Sequence, residues 1–155
     1  MPNGVLRAVN LRYKAVEYAH SLLHVPYRWR GDDPLEGFDC SGFVHEILQA
    51  VGLEPHGFDS TANDLYERFK DYEVPCGSAG CLVFWFGPDK TGAIIANHVM
   101  LMIDDFLCIG AAGGGSKTLT REDAIKANAF IKVRPVGYRG QDYVIVDPFK
   151  TIEGI

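Results

Sequence analysis

The hydrophobic period of this chain changes once, near Gly80, and that change constrains the fold more than any other feature. Before it, apolar residues recur at three- and four-residue spacing; after it they stand in short runs of branched and aromatic residues. Asn10 reads as the cap of a helix carrying Ala15, Tyr18, Ala19 and Leu22 and ending near His24, before Pro26. Residues 25–39 carry loop chemistry. A second helix starts at Asp39, Cys40 or Ser41, shows one stripe of Phe43, Val44, Ile47, Leu48 and Val51, and stops at Gly52. A third runs from Ser60 or Thr61 to about Phe69, with Thr61 and Asp64 forming a capping box. Beyond Gly80, strands are expected at Cys81–Phe86, His98–Ile103, Phe106–Ala111, Phe130–Val136 and Tyr143–Val146. Asp104 and Asp105 make a tight connection, and a short helix over Thr120–Asn128 is capped by Thr120 and Asp123. Helices first and a meander of strands afterwards predict an α+β architecture, one domain over residues 1–155.

Composition removes several function classes. The longest strongly apolar runs, Leu82–Phe86 and Val99–Ile103, are five residues each, whereas a membrane span needs about 20. A net charge of −5 without a run of Lys and Arg argues against nucleic acid as a partner. Met1–Arg12 has no apolar core of a secretory leader, so cytoplasmic synthesis, with the four cysteines reduced, is the expectation.

Most chemistry-bearing clusters have ordinary readings. The stretch from Gly110 to Thr118 misses the phosphate-loop pattern because Ser116 stands before Lys117, so it reads as a flexible loop. His20 and His24 share a helix face, but no glutamate supplies a base between them, and they read as surface histidines. Cys76 and Cys81 are off zinc-knuckle spacing; Cys81 and Cys108, inside apolar strands, act as small hydrophobes. Cys40 stands apart. It opens an amphipathic helix whose free N–H groups and dipole favour a thiolate, so its pKa is expected below the ordinary value of about 8.5.

The flanking residues closely resemble those of NlpC-type cysteine peptidases, a papain-like family that cleaves bacterial cell-wall peptides. Pro26, Tyr27, Trp29, Arg30 and Gly31 match its Pro-Tyr-x-Trp-Gly-Gly segment, and Phe38, Asp39, Cys40, Ser41 and Gly42 match Phe-Asp-Cys-Ser-Gly. Gly80–Phe86 and His98-Val99 continue the likeness over roughly residues 20 to 112. The resemblance implies a papain-like α+β fold, with N-terminal helices packed on a C-terminal antiparallel β-sheet. It implies Cys40 as nucleophile, His98 as general base, and Tyr27, Asp39 and Ser41 as substrate-binding residues, Asp39 and Ser41 holding a free amino end. No metal or cofactor is implied, because Cys and His perform the chemistry.

Three positions depart from the family pattern. Arg30 stands where the family has Gly and reads as covering the loop. Cys81 replaces an Asp. Gly110 occupies the place of the polar residue that orients the base. A carbonyl near Gly110 or a water, a side chain such as Ser116 or Asn97, or a shifted hairpin register bringing in Cys108 are the alternatives.

The implied activity is hydrolysis of peptidoglycan stem peptides, at a γ-D-glutamyl bond to a diamino acid. A weaker likeness of AAGGGSKT, VRPVGYRG and VDPF to phage-type members implies wall opening by a phage product, carried in the particle beside tail proteins. The competing reading is a weakly active or inactive domain that binds wall peptide or assembles a phage tail.

Overall fold

In chain order the elements are α1 (Asn3–Ser21), β1 (Asp32–Asp33), β2 (Gly37–Phe38), α2 (Cys40–Ala50), α3 (Ala62–Phe69), β3 (Glu73–Val74), β4 (Leu82–Pro88), β5 (Ile94–Met102), β6 (Leu107–Ala112), α4 (Arg121–Ala127), β7 (Phe130–Pro135), β8 (Tyr143–Val146) and α5 (Lys150–Glu153). They come from a computed structural model that describes residues 3–153, so both ends of the 1–155 span lie outside the described residues.

The first helix corrects the expected cap at Asn10 and end near His24. It begins at Asn3 because Gly4, Ala8, Ala15 and Ala19 form a buried stripe of small residues. Its anchor is the far end of the chain: Arg12 donates to Asp147 Oδ2 at 2.7 Å and to Glu153 Oε1 at 2.8 Å, with its guanidinium over the Phe149 ring. Partners 135 and 141 residues away leave no local signal. The chain leaves α1 through His24, which takes the left-handed conformation at φ 71°.

The second and third helices form where the caps predict. Thr61 and Asp64 close a reciprocal capping box at α3, and Thr120 and Asp123 do the same at α4. Asp104 turns the β5–β6 hairpin by accepting the Phe106 and Leu107 amides at 2.8 and 2.7 Å.

Six strands form one antiparallel sheet in the order β3-β8-β4-β5-β6-β7. β8 inserts between β4 and the two-residue β3, a strand too short to show a period. One face of the sheet, with Leu82, Phe84, Val99, Leu101 and Ile109, packs on the α2 stripe and on Leu65 and Phe69 of α3. The other face carries a smaller cluster of Val83, Trp85, Met100, Met102, Cys108 and Ile145. A bulge interrupts the β4–β5 ladder: Trp85 pairs with His98 but Phe86 with Ala96, leaving Asn97 as the extra residue. Ala96 and Val99 therefore both face the helices, while His98 joins Trp85 on the opposite face.

Candidate active site

The nucleophile candidate is set by backbone contacts that explain the sequence motif around it. Gly42 N–H donates to Asp39 Oδ1 at 2.7 Å, which caps α2 and leaves Cys40 as its first residue. Asp39 N–H donates to the Gly31 carbonyl at 3.0 Å, and Arg28 N–H and Phe38 N–H lock the loop at 2.9 and 3.1 Å. Two glycines are demanded by close approach. A Cβ on Gly31 would lie 2.4 Å from the Gly37 carbonyl, and one on Gly42 would lie 2.0 Å from the Gly31 carbonyl. Arg30 takes φ 60°, a left-handed conformation that explains why a glycine suits this position.

Cys40 and His98 open onto one cavity of about 660 Å³. The sequence-predicted residues Tyr27, Asp39 and Ser41 line it too, as does Arg30. The start of α3 supplies Thr61, Asn63 and Asp64, preceded by Asp59 and Ser60, and a turn after β7 supplies Arg139. None of these last residues stands out in the sequence. The segment carrying Asp59 and Ser60 is clasped to α2 by buried His45, whose Nδ1 meets Glu54 Oε1 at 2.7 Å and whose Nε2 meets Ser60 Oγ at 2.9 Å. Arg68 completes the clasp at 3.2 Å from Glu54.

Beyond β6 the glycine-rich stretch is a loop, as expected, and it walls this cavity, with Gly114 flat against the Tyr27 ring, where a Cβ would come within 2.2 Å of Cδ1. Tyr27 is buried, and burial together with the Cys40 and Asp39 charges raises its phenol above the usual range. It stays a hydrogen-bond donor at any working pH.

Charge states differ from the expectation at Cys40. Burial pushes the Cys40 thiol up to about 11, and the Asp39 carboxylate adds to the rise. The Val99 and Ser41 amides and the Arg139 charge oppose this without overcoming it. Burial, then the Arg139 charge, lowers His98 to about 3. The resting pair is therefore a neutral thiol and a neutral imidazole, and the helix terminus does not by itself make a thiolate. Burial likewise holds Asp39 above its ordinary value, with the Asp59 charge adding and the Gly42 amide opposing. Alkylation of Cys40 by iodoacetamide should accordingly keep rising between pH 8 and 10, read by intact mass against time. A plateau reached below pH 8 would contradict the buried-thiol account.

The His98 ring is held by a residue that the sequence does not single out. His98 Nε2 lies 2.9 Å from the Tyr138 hydroxyl, and no hydrogen bond joins the ring to the Cys40 thiol. None of the expected side chains serves. Gly110 faces Met100, Asn97 and Ser116 are exposed, and the hairpin keeps its register, with Leu101 opposite Ile109. Cys108 is buried and donates instead to the Arg134 carbonyl at 3.3 Å. The only sequence trace of Tyr138 is its place in VRPVGYRG after the last long strand. His20 and His24 are exposed, as expected, and all four cysteines are free thiols.

Helices on one face of an antiparallel sheet, a cysteine opening the central helix and a histidine at the rim of the facing strand define the papain-like α+β class. The family model described as "NlpC/P60 family" matches residues 24–134, and the chain belongs to that family. A Bacillus subtilis (strain 168) protein, "Bifunctional muramidase/DL-endopeptidase CwlT", is 33% identical over 78 residues, covering 50% of this chain and 22% of that protein. The chain thus spans about a fifth of that relative's length. The crystal structure of the NlpC/p60 domain of the peptidoglycan hydrolase SagA superposes with a TM-score of 0.53 at 21% identity, over 86% of this chain and 97% of that one. An NlpC/P60 family protein from Bacillus cereus ATCC 10987 does so with a TM-score of 0.60 at 22% identity, over 83% of this chain and 36% of that one.

Proposed function

We propose that this chain is a thiol hydrolase of peptidoglycan stem peptides, with Cys40 as nucleophile and His98 as general base. The observation that carries the reading is the single cavity onto which helix-terminal Cys40, strand residue His98 and the carboxylate of Asp39 all open. Family membership and the relative named a DL-endopeptidase support the substrate class.

The chemistry follows from the neutral resting pair. With substrate bound, His98 takes the Cys40 proton as Sγ attacks the peptide carbonyl. As the first residue of α2, Cys40 has a backbone N–H with no intrahelical acceptor, and this donor faces the charge that develops on the carbonyl oxygen. Collapse of the tetrahedral species breaks the C–N bond; the amine leaves with the proton from His98, and an acyl thioester remains on Cys40. Water, deprotonated by His98, then releases the acid and restores the thiol. Asp39, with Asp59 nearby, gives the cavity a negative end suited to a substrate ammonium, and Ser41 supplies a hydroxyl beside it. The γ-D-glutamyl bond and a phage setting rest on the sequence resemblance alone.

A second reading, a binding module of weak or no activity, is favoured by Gly110 and by the absence of a Cys40–His98 hydrogen bond. Purified cell-wall fragments incubated with wild type and Cys40→Ala, read by mass spectrometry, separate the two. Release of stem-peptide fragments by wild type, abolished in the variant, is expected, and the fragment masses name the bond. No release by a folded wild type across several wall chemotypes leaves the binding module.

A further inference from the structure

The sheet gives the His98 ring no polar side chain to bond. Gly110 brings no side chain, and the space above it is filled by Met100, whose Cγ would lie 2.8 Å from a Cβ at that position. We propose that Tyr138, from outside the sheet, is the positioning residue of the His98 base, and that its hydroxyl selects the imidazole tautomer that the reaction needs. This rests on the reading of His98 as the base.

Three observations carry the inference. The first is the hydrogen bond itself, 2.9 Å between His98 Nε2 and Tyr138 Oη. The second is a further acceptor within reach of the tyrosine's proton: Tyr138 Oη also lies 3.4 Å from Met100 Sδ, a thioether that accepts and cannot donate. In the proposed arrangement the hydroxyl donates to the sulfur and presents its lone pairs to Nε2, so the ring carries its proton on Nε2. Nδ1 is then left with the free electron pair, which is the form a base requires at the nitrogen not held by tyrosine. When the base takes up the thiol proton, Nε2–H remains donated to the same oxygen. One arrangement serves both protonation states.

The third observation is rigidity. Tyr138 sits in a 3-10 turn, Val136–Arg139, whose first residue is buried and donates its N–H to the Phe106 carbonyl at 2.8 Å, tying the turn to the β5–β6 hairpin. Trp85 meets the Tyr138 ring edge-on at 5.5 Å and lies tilted over the imidazole at 5.3 Å. The imidazole is thus fixed by a face contact and by a hydrogen bond at one nitrogen. Met100 has two roles here: it occupies the space left by the residue missing at Gly110, and it offers the tyrosine hydroxyl an acceptor other than Nε2.

The test uses the full chain with 15N-labelled histidine. Long-range 1H–15N correlation spectra assign the His98 tautomer without any substrate, and kcat and KM are measured on released stem peptide. Wild type is expected in the Nε2–H form. Tyr138→Phe, which keeps the ring packing, should lose that selection and lower kcat by roughly 10- to 100-fold while KM stays within a few-fold. Met100→Leu removes the sulfur acceptor but keeps the volume, so the hydroxyl turns toward Nε2 and the spectrum shifts toward Nδ1–H, with kcat again reduced. This second variant reads the same link if Tyr138→Phe fails to fold. A wild-type His98 in the Nδ1–H form, or variants with the wild-type tautomer and kcat, overturns the proposal. If wild type cleaves nothing, the hydrolase reading fails, and the tautomer spectra still decide whether Tyr138 sets the imidazole.

Discussion

Lowering the pH from 7 to 4 should cost this protein about 3 kcal/mol of stability through His98 alone, out of a total on the order of 5 kcal/mol available to that residue. The imidazole is buried, 6% exposed, and burial followed by the Arg139 charge brings its folded pKa from 6.5 to about 3. Between those values the unfolded chain binds a proton at this residue and the native protein does not, so acid pulls the equilibrium toward unfolding. The contribution is fully present above pH 6.5 and is lost as the pH falls toward 3. Urea denaturation at pH 7 and pH 4 checks this when wild type is compared with His98→Gln, whose amide can still meet Tyr138 but cannot be protonated. The variant should lose several times less stability over that interval. Asp89, Asp104 and Asp123, each held low by local hydrogen bonds, titrate in both proteins and cancel in the comparison. Equal losses in the two proteins would mean that His98 is not held neutral by its surroundings.

Much of the fold and part of the site were legible in the sequence, and the difference lies in the range of the interactions involved. The capping boxes at Thr61 and Thr120 are four-residue devices, and they form where the sequence places them. So does the start of α2, because Asp39 caps within its own helix. The start of α1 was misread because Gly4 and Ala8, which bury its first turns, are small residues that show no apolar period, and because its anchor, Arg12 against Asp147 and Glu153, lies at the other end of the chain. Cys40, His98, Tyr27, Asp39 and Ser41 do converge on one cavity. The charge state of Cys40 did not follow from its helix position, because burial outweighs the amides around it. Tyr138 was invisible for the same reason as the Arg12 anchor. It acts across 40 residues, and its hydrogen bond to His98 depends on how a 3-10 turn folds back over the sheet.

Gly42→Ala provides the sharpest contrast between local preference and packing. By helix propensity alone the change should stabilise α2 by about 1 kcal/mol, since a glycine inside a helix is costly. The structure reverses the sign. The new Cβ would meet the Gly31 carbonyl oxygen at 2.0 Å and its carbon at 3.1 Å, and both are backbone atoms that no rotamer change can move aside. Relief requires the 25–39 loop to separate from α2, which stretches the Asp39 N–H bond to the Gly31 carbonyl, 3.0 Å long, and disturbs the Asp39 cap. Overpacking of about 1–3 kcal/mol and a lost cap of about 1 kcal/mol outweigh the propensity gain, so a net loss of about 1–3 kcal/mol is expected. Cys40 shifts with the cap, and a displacement of about 1 Å at a nucleophile lowers turnover roughly 100-fold. Gly52→Ala is the matched control: Gly52 has φ +79° but nothing within 4 Å, so the change should cost only the left-handed strain of about 1–2 kcal/mol and leave turnover intact. Thermal and urea unfolding together with peptide release distinguish the two. A Gly42→Ala protein as stable and active as wild type would show that the loop carrying Gly31 is not held against α2, and the account of the Asp-Cys-Ser-Gly motif would fall with it.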